Sequence, residues 1–533
     1  MRIAVILPIA LCLGLAACGK SEQTAEKNMD TSTASSTEAT ASTEHVVSVE
    51  GGQIQGKAVD GVVAYLGIPY AAPPVGDLRW MPPLPVTSWD GIRDATKYGS
   101  ECVQGVFGPA PANGAPPAGN EDCLFLNVWV PADAAGKKLP VMLWVHGGAY
   151  ILGSGSQPMY EGTGFARDGV ILVTINYRLG NLGFFAHPAI DAEDPNGEHG
   201  NYAFMDQVAA LKWVQNNIAA FGGDPSNVTL FGQSAGGASV GYLLTMPAAK
   251  GLFQKAIIES GSIRRDPRPL KDVAAGGKSA EDMGVEMAKA LGLDNASAAD
   301  LRALPADKVM SAAAGRFMPG PIQDGTDVTG ATYKELAAGN FTHVPVLLGA
   351  NSYEASIMPG AEKGIPAALG SHLDAALKLY DGYGSDDKDM KMKQMVGDIF
   401  IAGGARDYAE SLSKAGVPTY FYNFDYVASF QRATMPGAGH IFEIPFAFDT
   451  VSQWSDMTTD EDKAYAKKVH PYWVAFAKTG DPNGDDRPNW PQFNMETKAT
   501  MVFEPMGPEV KDNYHGDRLD FLDKIGVTSL GPR

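Results

Sequence analysis

A serine lies in a Gly-x-Ser-x-Gly sequence, Gly232-Gln233-Ser234-Ala235-Gly236, between two segments of different periodicity. Residues 227–231 (NVTLF) are typical of a buried strand, and a helix of small residues follows. A turn that leads from a strand directly into a helix crowds the residues two before and two after the serine, so both must be small. The helix N-terminus favours negative charge that develops beside the serine hydroxyl. The sequence therefore predicts a nucleophilic serine, Ser234, at the end of a strand.

Short β-rich runs alternate with helical patterns from residue 139 onward. This alternation is typical of an α/β fold, with a mostly parallel sheet covered by helices on both faces. Ligands bind such sheets outside the carboxyl ends of the strands, so we expect the chemistry there. The pattern predicts strands over residues 139–146, 170–177, 227–231, 255–259 and 344–349, and a helix over 205–220.

A serine hydroxyl needs a base, and the base needs a carboxylate that orients it. Of nine histidines, His440 lies in a Gly-rich turn that can hold an imidazole above a sheet edge. His146 ends a predicted strand just before Gly147 and Gly148, whose backbone N–H groups are open to a ligand oxygen. This pattern fits an oxyanion hole that the N–H of Ala235 completes. Two alternatives stay open, a structural loop histidine and an ordinary Gly-rich turn.

The first 45 residues are predicted to serve export and anchoring. Residues 1–17 have the positive start and apolar run of a secretory signal, and they end at Cys18 in a sequence that resembles a bacterial lipobox. Residues 18–45, rich in Ser, Thr, Glu and Ala, cannot bury enough surface to fold and would form a tether. We therefore expect a bacterial lipoprotein, anchored to a membrane through Cys18 and facing the periplasm or the cell exterior, with residues 46–533 as one domain. The alternative is an ordinary cleaved signal with an incidental cysteine.

Charge and cysteine content narrow the possible partners. The 533 residues contain 42 basic and 61 acidic side chains, a formal charge of −19, which disfavours a nucleic-acid partner.

If Cys18 carries lipid, Cys102 and Cys123 remain as a pair, and a disulfide between them would close a loop of about 20 residues. A metal site is the alternative, but two cysteines without a nearby histidine are too few ligands, so we expect no metal or cofactor. The sequence leaves the oligomeric state open and favours a monomer.

Several motifs in a fixed order resemble those of the type B carboxylesterases, the cholinesterase and carboxylesterase branch of the α/β-hydrolase fold. The resemblance runs from about Val47 to about Phe493, nearly the whole predicted domain. It implies the α/β-hydrolase fold, a small-molecule ester as substrate and hydrolysis through an acyl-enzyme. The motifs are GIPYAAPPVGDLRW at 67–80, EDCLFLNVW at 121–129, FGGDP at 221–225 and FGQSAG at 231–236.

The resemblance also implies a role for each matching residue. It implies Ser234 as the nucleophile, His440 as the base and Glu354 as the acid that orients the base. Further implied roles are oxyanion-hole donors at Gly148, Ala149 and Ala235, a partner of the acid at Ser260, a disulfide between Cys102 and Cys123, and ion pairs Arg79–Glu121 and Arg178–Asp206.

Some positions depart from the family pattern. Gln233 stands where Glu is commoner, and the loop between the two cysteines has no Trp, which argues against a choline-ester specialist. Tyr150, Phe107 and Tyr353 are candidates for the walls of the substrate cavity. The residues leave open an amidase, lactonase or thioesterase on the same triad, and, less favoured, a non-catalytic binding protein on this fold.

Overall fold

An eleven-stranded sheet forms the centre of the protein. The computed structural model describes residues 44–104, 119–193, 200–271, 273, 277–311, 319–382 and 387–528. The predictions for residues 1–43, Cys18 among them, and for Phe107 lie outside the described residues. The strands are β1 (Val46–Val49), β2 (Gly52–Gln55), β3 (Lys57–Val59), β4 (Val62–Pro69), β5 (Ile92–Asp94), β6 (Phe125–Pro131), β7 (Leu139–Val145), β8 (Ile171–Ile175), β9 (Gly223–Gln233), β10 (Lys255–Glu259), β11 (Arg268–Pro269), β12 (Ile322–Gln323), β13 (Val346–Asn351), β14 (Thr419–Phe424), β15 (Thr500–Glu504) and β16 (Gly507–Lys511).

Helices pack against this sheet. The helices are α1 (Thr163–Arg167), α2 (Gly180–Gly183), α3 (Pro188–Asp191), α4 (Tyr202–Asn217), α5 (Ala235–Thr245), α6 (Ala280–Ala290), α7 (Ala298–Arg302), α8 (Ala306–Ser311), α9 (Thr332–Ala338), α10 (Ile365–Leu369), α11 (Leu373–Leu379), α12 (Lys388–Gly397), α13 (Gly403–Lys414), α14 (Ile444–Ala447), α15 (Val451–Trp454), α16 (Asp460–Thr479) and α17 (Gly516–Lys524). In the described part of the chain, none of them combines the length and the apolar content that a bilayer crossing requires.

The strand order of the large sheet is β16-β15-β14-β13-β10-β9-β7-β8-β6-β4-β3. The seven strands from β15 to β8 run parallel, and antiparallel strands flank them on both sides. After β7 the chain adds β8 on one side and then β9 on the other, so the strand order reverses there. In open α/β sheets, ligands bind outside the carboxyl ends of the strands at such a reversal. Both the segment after β7 and the turn after β9 lie there, as the sequence predicts.

Side chains of the central strands alternate between two cores. Val141, Leu143 and Val145 of β7 pack into the core on one face, and Met142 and Trp144 pack into the core on the other. Successive side chains of a strand point to opposite faces, so a strand that is covered on both sides is apolar throughout. This explains why β7 is a continuous apolar run in the sequence.

Most predicted elements are present, with shifted boundaries. The strand predicted over 344–349 is Val346–Asn351, because Pro345 has no N–H to donate to a ladder. The strand predicted over 227–231 is the centre of the longer β9. The helix predicted over 205–220 begins at Tyr202 and ends at Asn217, where a 3₁₀ turn follows.

The implied disulfide and both implied ion pairs are present. Cys102 and Cys123 are bonded. Arg79 Nη2 lies 2.5 Å from Glu121 Oε1, and Arg178 Nη2 lies 2.7 Å from Asp206 Oδ1. The disulfide and the two ion pairs therefore join segments that are distant in the sequence.

Candidate active site

Ser234 alone forms the turn between β9 and α5. Its backbone has φ 57° and ψ −123°, a conformation that residues with a side chain rarely adopt and that costs about 1–3 kcal/mol. A Cβ at Gly232 would lie 2.6 Å from the carbonyl oxygen of Val145, and one at Gly236 would lie 1.9 Å from the same atom. The two glycines therefore let α5 start against the end of β7. This is the crowding that the sequence motif predicts.

Backbone hydrogen bonds hold the turn on both sides. The N–H of Ser234 donates to the carbonyl of Glu259, the last residue of β10, over 2.8 Å. The carbonyl of Ser234 accepts from the N–H of Ala238, also over 2.8 Å. The neighbouring strand and the first turn of α5 thus compensate the strained conformation, and the serine side chain is left to face a cavity.

His440 lies in a loop that is fastened to the segment after β13. Backbone and side-chain hydrogen bonds join the loop to that segment. They hold the loop in place although it is neither a helix nor a strand. Gln233 Nε2 also donates to the carbonyl of His440 over 2.6 Å, which ties the loop to the residue before Ser234. The pairs are Tyr353 N to Ala438 O at 2.8 Å, Asn351 Nδ2 to Gly439 O at 2.8 Å, Ala438 N to Ser352 Oγ at 2.9 Å and His440 N to Ser356 Oγ at 2.9 Å.

The imidazole of His440 is oriented by Glu354. Nδ1 of the imidazole donates to Oε2 of Glu354, since a carboxylate can only accept. Oε1 of the same carboxylate accepts from Ser260 Oγ and from the N–H of Asn351, each over 2.7 Å. His440 is 3% exposed and Glu354 is 2% exposed, so little water competes for these bonds. Nε2 of the ring has no hydrogen-bond partner within the described residues and is the nitrogen left for the hydroxyl.

A cavity of about 510 Å³ brings the predicted residues together. Ser234, Ala235, Ala149, Ser260 and His440 all contribute to its wall, and the remainder is largely apolar. Tyr150 lines the cavity as the sequence suggests. Tyr353 is not among the lining residues, because it is turned into a separate cluster. The apolar part of the wall contains Ala238, Ile263, Ile357, Met358, Phe400 and Ile401.

Three consecutive residues after the β7 strand have positive φ: Gly148 at 105°, Ala149 at 53° and Tyr150 at 63°. This backbone makes a tight turn beside Ser234. Within the described residues, the N–H groups of Gly148 and Ala149 have no acceptor. The N–H of Ala235 is the first of α5, so no carbonyl of the helix can accept from it. These three donors are the ones the sequence assigns to an oxyanion hole.

Two further acids, Glu259 and Glu443, are buried behind Glu354. Burial raises the pKa of Glu259 to about 8, while Trp473 Nε1 donates to its Oε1 over 2.6 Å. Burial, and then the charges of Glu259 and Glu354, raise the pKa of Glu443 well above the ordinary value. Glu259 is therefore largely uncharged at neutral pH, and the surroundings of Glu443 favour its uncharged form. Burial also lowers the pKa of His146 to about 4, so this ring stays neutral beneath the cavity.

The pKa of Glu259 predicts how stability depends on pH. The folded chain holds this proton up to a pKa of about 8, whereas an unfolded glutamate loses it near pH ~4.3, so stability falls as pH rises between these values. Glu259→Gln keeps the acceptor for Trp473 and removes the titration. We expect the wild-type Tm to fall by about 3 °C more than the Tm of the variant between pH 6 and pH 9 in calorimetry. The exposed change Glu496→Gln should behave as wild type, and equal losses in all three proteins would contradict the assignment.

Several residues that shape the site are not among those that the sequence motifs predict. Asn351 holds both the acid and the histidine loop, and Ser352 and Ser356 hold the loop alone. These residues flank Glu354 in the sequence, so a search for polar side chains around the acid would have found them. Gln233 was noted only as a departure from the family pattern, and its bond to the carbonyl of His440 crosses 207 residues, which no local pattern reveals.

Comparisons with known proteins agree with this geometry. The model of the carboxylesterase family matches residues 43–378 and 372–522. The para-nitrobenzyl esterase of Bacillus subtilis is 36% identical over 480 residues, which are 87% of this chain and 95% of that protein. The fumonisin B1 esterase of Sphingopyxis macrogoltabida is 35% identical over 482 residues, which are 85% of this chain and 86% of that protein.

Solved structures give the same result for the fold. The carboxylesterase of Geobacillus stearothermophilus superposes with a TM-score of 0.76 and 35% identity, covering 89% of this chain and 99% of that one. A PNB esterase superposes with a TM-score of 0.75 and 33% identity, covering 89% of this chain and 100% of that one.

The sequence prediction of an α/β-hydrolase fold is thereby confirmed, as is the prediction of a serine hydrolase acting on carboxylic esters. The chain belongs to the carboxylesterase family.

Proposed function

We propose that Ser234, His440 and Glu354 form the catalytic triad of this ester hydrolase. The observation that supports this most directly is the pairing of His440 Nδ1 with the buried Glu354, in a cavity whose wall also contains Ser234. A carboxylate at Nδ1 keeps the hydrogen there, so Nε2 is free to accept a proton. The chain order Ser, Glu, His is the order expected for this fold.

Acylation follows from these roles. Nε2 of His440 takes the proton of the Ser234 hydroxyl while Oγ attacks the ester carbonyl carbon, and Glu354 stabilises the imidazolium. The negative charge on the carbonyl oxygen meets the N–H groups of Gly148, Ala149 and Ala235. One such donor typically contributes about 3 kcal/mol to transition-state stabilisation. The imidazolium then gives its proton to the leaving alcohol, and an ester between Ser234 and the acyl group remains.

Deacylation repeats the same steps with water. His440 takes a proton from water, the hydroxide adds to the acyl carbon, and the proton returns to Oγ of Ser234 as the acid leaves. The free enzyme is restored without an oxidant or a second substrate. In this scheme Ser260 acts through Glu354, and Asn351 acts through Glu354 and through the loop of His440, so both are positioning residues.

Covalent labelling tests the proposal. Diisopropyl fluorophosphate should form a phosphoester with Ser234 Oγ and release fluoride, and peptide mass spectrometry should place the label on residue 234. Hydrolysis of a 4-nitrophenyl ester should stop in proportion to labelling. The same assay with the matching 4-nitroanilide distinguishes an esterase from an amidase. Stoichiometric labelling of another residue, or full activity in the labelled protein, would refute the proposal.

We also propose that the chain is a lipoprotein anchored through Cys18. The support is the sequence of residues 1–18, with an apolar signal ending at Leu15-Ala16-Ala17-Cys18. In a bacterial host, labelled palmitate should be incorporated into the full chain, which should sediment with membranes. Cys18→Ser should abolish incorporation and leave the enzyme out of the membrane fraction, and an unlabelled wild type would refute the anchor.

A further inference from the structure

Two arginines line the cavity that contains Ser234. Arg265 and Arg268, here called the arginine pair, belong to the segment that leads from β10 into β11. β11 is held in place because Arg268 and Pro269 pair with Ile322 and Gln323 of β12. Arg268 is therefore positioned by a sheet contact, Arg265 lies three residues before it, and both share one cavity with the nucleophile.

Neither guanidinium has a carboxylate partner within the described residues. The other charged groups of the cavity wall are paired elsewhere: Asp266 with Lys334 at 2.9 Å, and Lys278 with Glu286 at 2.5 Å. Arg268 Nη1 donates only to the carbonyl of Lys278, over 3.0 Å. In a chain with 61 acidic and 42 basic residues, two unpaired cations beside an apolar cavity are a specific feature of this site.

The two charges act on each other and on the cavity interior. Burial, and then the charge of Arg265, lower the pKa of Arg268. Burial raises the pKa of Tyr242, a cavity residue, while the charge of Arg265 opposes this shift and the charge of Asp266 adds to it. Two like charges held together are unfavourable until an anion lies between them. A guanidinium binds a carboxylate through two parallel hydrogen bonds, which makes arginine suited to that anion.

We infer that the substrate is an ester that also carries a carboxylate, and that the arginine pair binds this carboxylate while Ser234 attacks the ester. The inference rests on the proposed function of the site. The same wall contains Ile263, Ile357 and Phe400, so we expect the part of the substrate between its carboxylate and its ester to be apolar. The substrate class is therefore a half-ester of a dicarboxylic acid, or an ester whose alcohol part is an acid.

Matched esters test the inference. Mono-4-nitrophenyl adipate and 4-nitrophenyl hexanoate have the same acyl length and differ in a terminal carboxylate or methyl group. For an acid on the alcohol side, 4-carboxyphenyl hexanoate is compared with its neutral analogue 4-carbamoylphenyl hexanoate. We expect Arg265→Gln/Arg268→Gln to lower the ratio of kcat/KM for the acidic ester over its neutral match at least tenfold in one of these pairs, mainly through KM. In wild type, added NaCl should lower the same ratio.

A control variant and two outcomes make the result decisive. Lys250→Gln removes one exposed positive charge outside the cavity wall and should leave the ratio unchanged, which separates local binding from net charge. If both substrate pairs keep their ratio in the double variant while hydrolysis still requires Ser234, the inference is wrong and the proposed function stands. If Ser234→Ala hydrolyses the neutral and acidic esters as fast as wild type does, the proposed function itself fails.

Discussion

Ser234→Ala should lower kcat for a 4-nitrophenyl ester by about 10⁵- to 10⁶-fold, because the substitution removes the oxygen that attacks the ester carbonyl. Binding should change little, since the methylene carbon of residue 234 remains in the cavity wall. A residual rate above that in water is expected, because the N–H groups of Gly148, Ala149 and Ala235 still stabilise a carbonyl that water attacks. Pre-steady-state kinetics should show a burst of 4-nitrophenol in wild type and none in the variant.

A nearby serine provides the control for this experiment. Ser239 lies in α5, buried, with its Oγ donating to the carbonyl of Ala235 and accepting from Gln207 Nε2. Ser239→Ala removes a buried hydroxyl that does not itself line the cavity, at a cost of about 1 kcal/mol of stability, so turnover should stay within about fivefold of wild type. A Ser234→Ala enzyme that keeps a tenth of wild-type turnover would contradict the assignment of the nucleophile.

Strands that are covered on both faces can be predicted from the sequence, and strands at the sheet edges cannot. Both faces of β7 and β10 are buried, so β7 is a continuous apolar run and β10 has an apolar centre between Lys255 and Glu259, and both strands were predicted. β16 is a short, half-exposed edge strand with a proline, and its sequence carries no such pattern. α16 contains Pro471, which ordinarily marks a helix end, so a 20-residue helix is hidden from simple periodicity. β14 is an apolar and aromatic run that the same criteria could have identified.

The residues of the site also fall into two groups, those that a local sequence pattern predicts and those that only the tertiary fold brings together. Ser234 was recognisable because the motif and its turn occupy consecutive residues, and spacing alone demands Gly232 and Gly236. Glu354 was identified only through resemblance to a family, since its contact with His440 spans 86 residues and leaves no local pattern. The arginine pair has no local pattern in the sequence, because the pairing between β11 and β12 that places Arg268 beside the cavity is a tertiary contact. Long-range contacts of this kind follow from the tertiary fold.

Glu354→Gln should lower kcat by about 10³- to 10⁴-fold with little change in the fold, since the substitution is nearly isosteric. The amide would offer an N–H toward Nδ1 of His440, which favours the ring form that carries its hydrogen on Nε2. That form cannot accept the proton of Ser234, and no negative charge remains to stabilise an imidazolium. Glu354→Asp keeps the charge but draws it back by one methylene, so an intermediate rate is expected. Stopped-flow measurement of the acylation step tests both variants.

The neighbouring acids make this prediction specific. Glu443 is also buried, and Asn351 Nδ2 contacts its carboxyl, but burial raises its pKa well above the ordinary value and so favours the uncharged form. Glu443→Gln therefore removes a carboxyl whose uncharged form is favoured, and kcat should stay within about tenfold of wild type. Ser260→Ala removes one of two donors to Glu354 Oε1 and should cost only about tenfold, because the N–H of Asn351 remains. If Glu443→Gln were inactive and Glu354→Gln active, the charge that orients His440 would have to reside on residue 443.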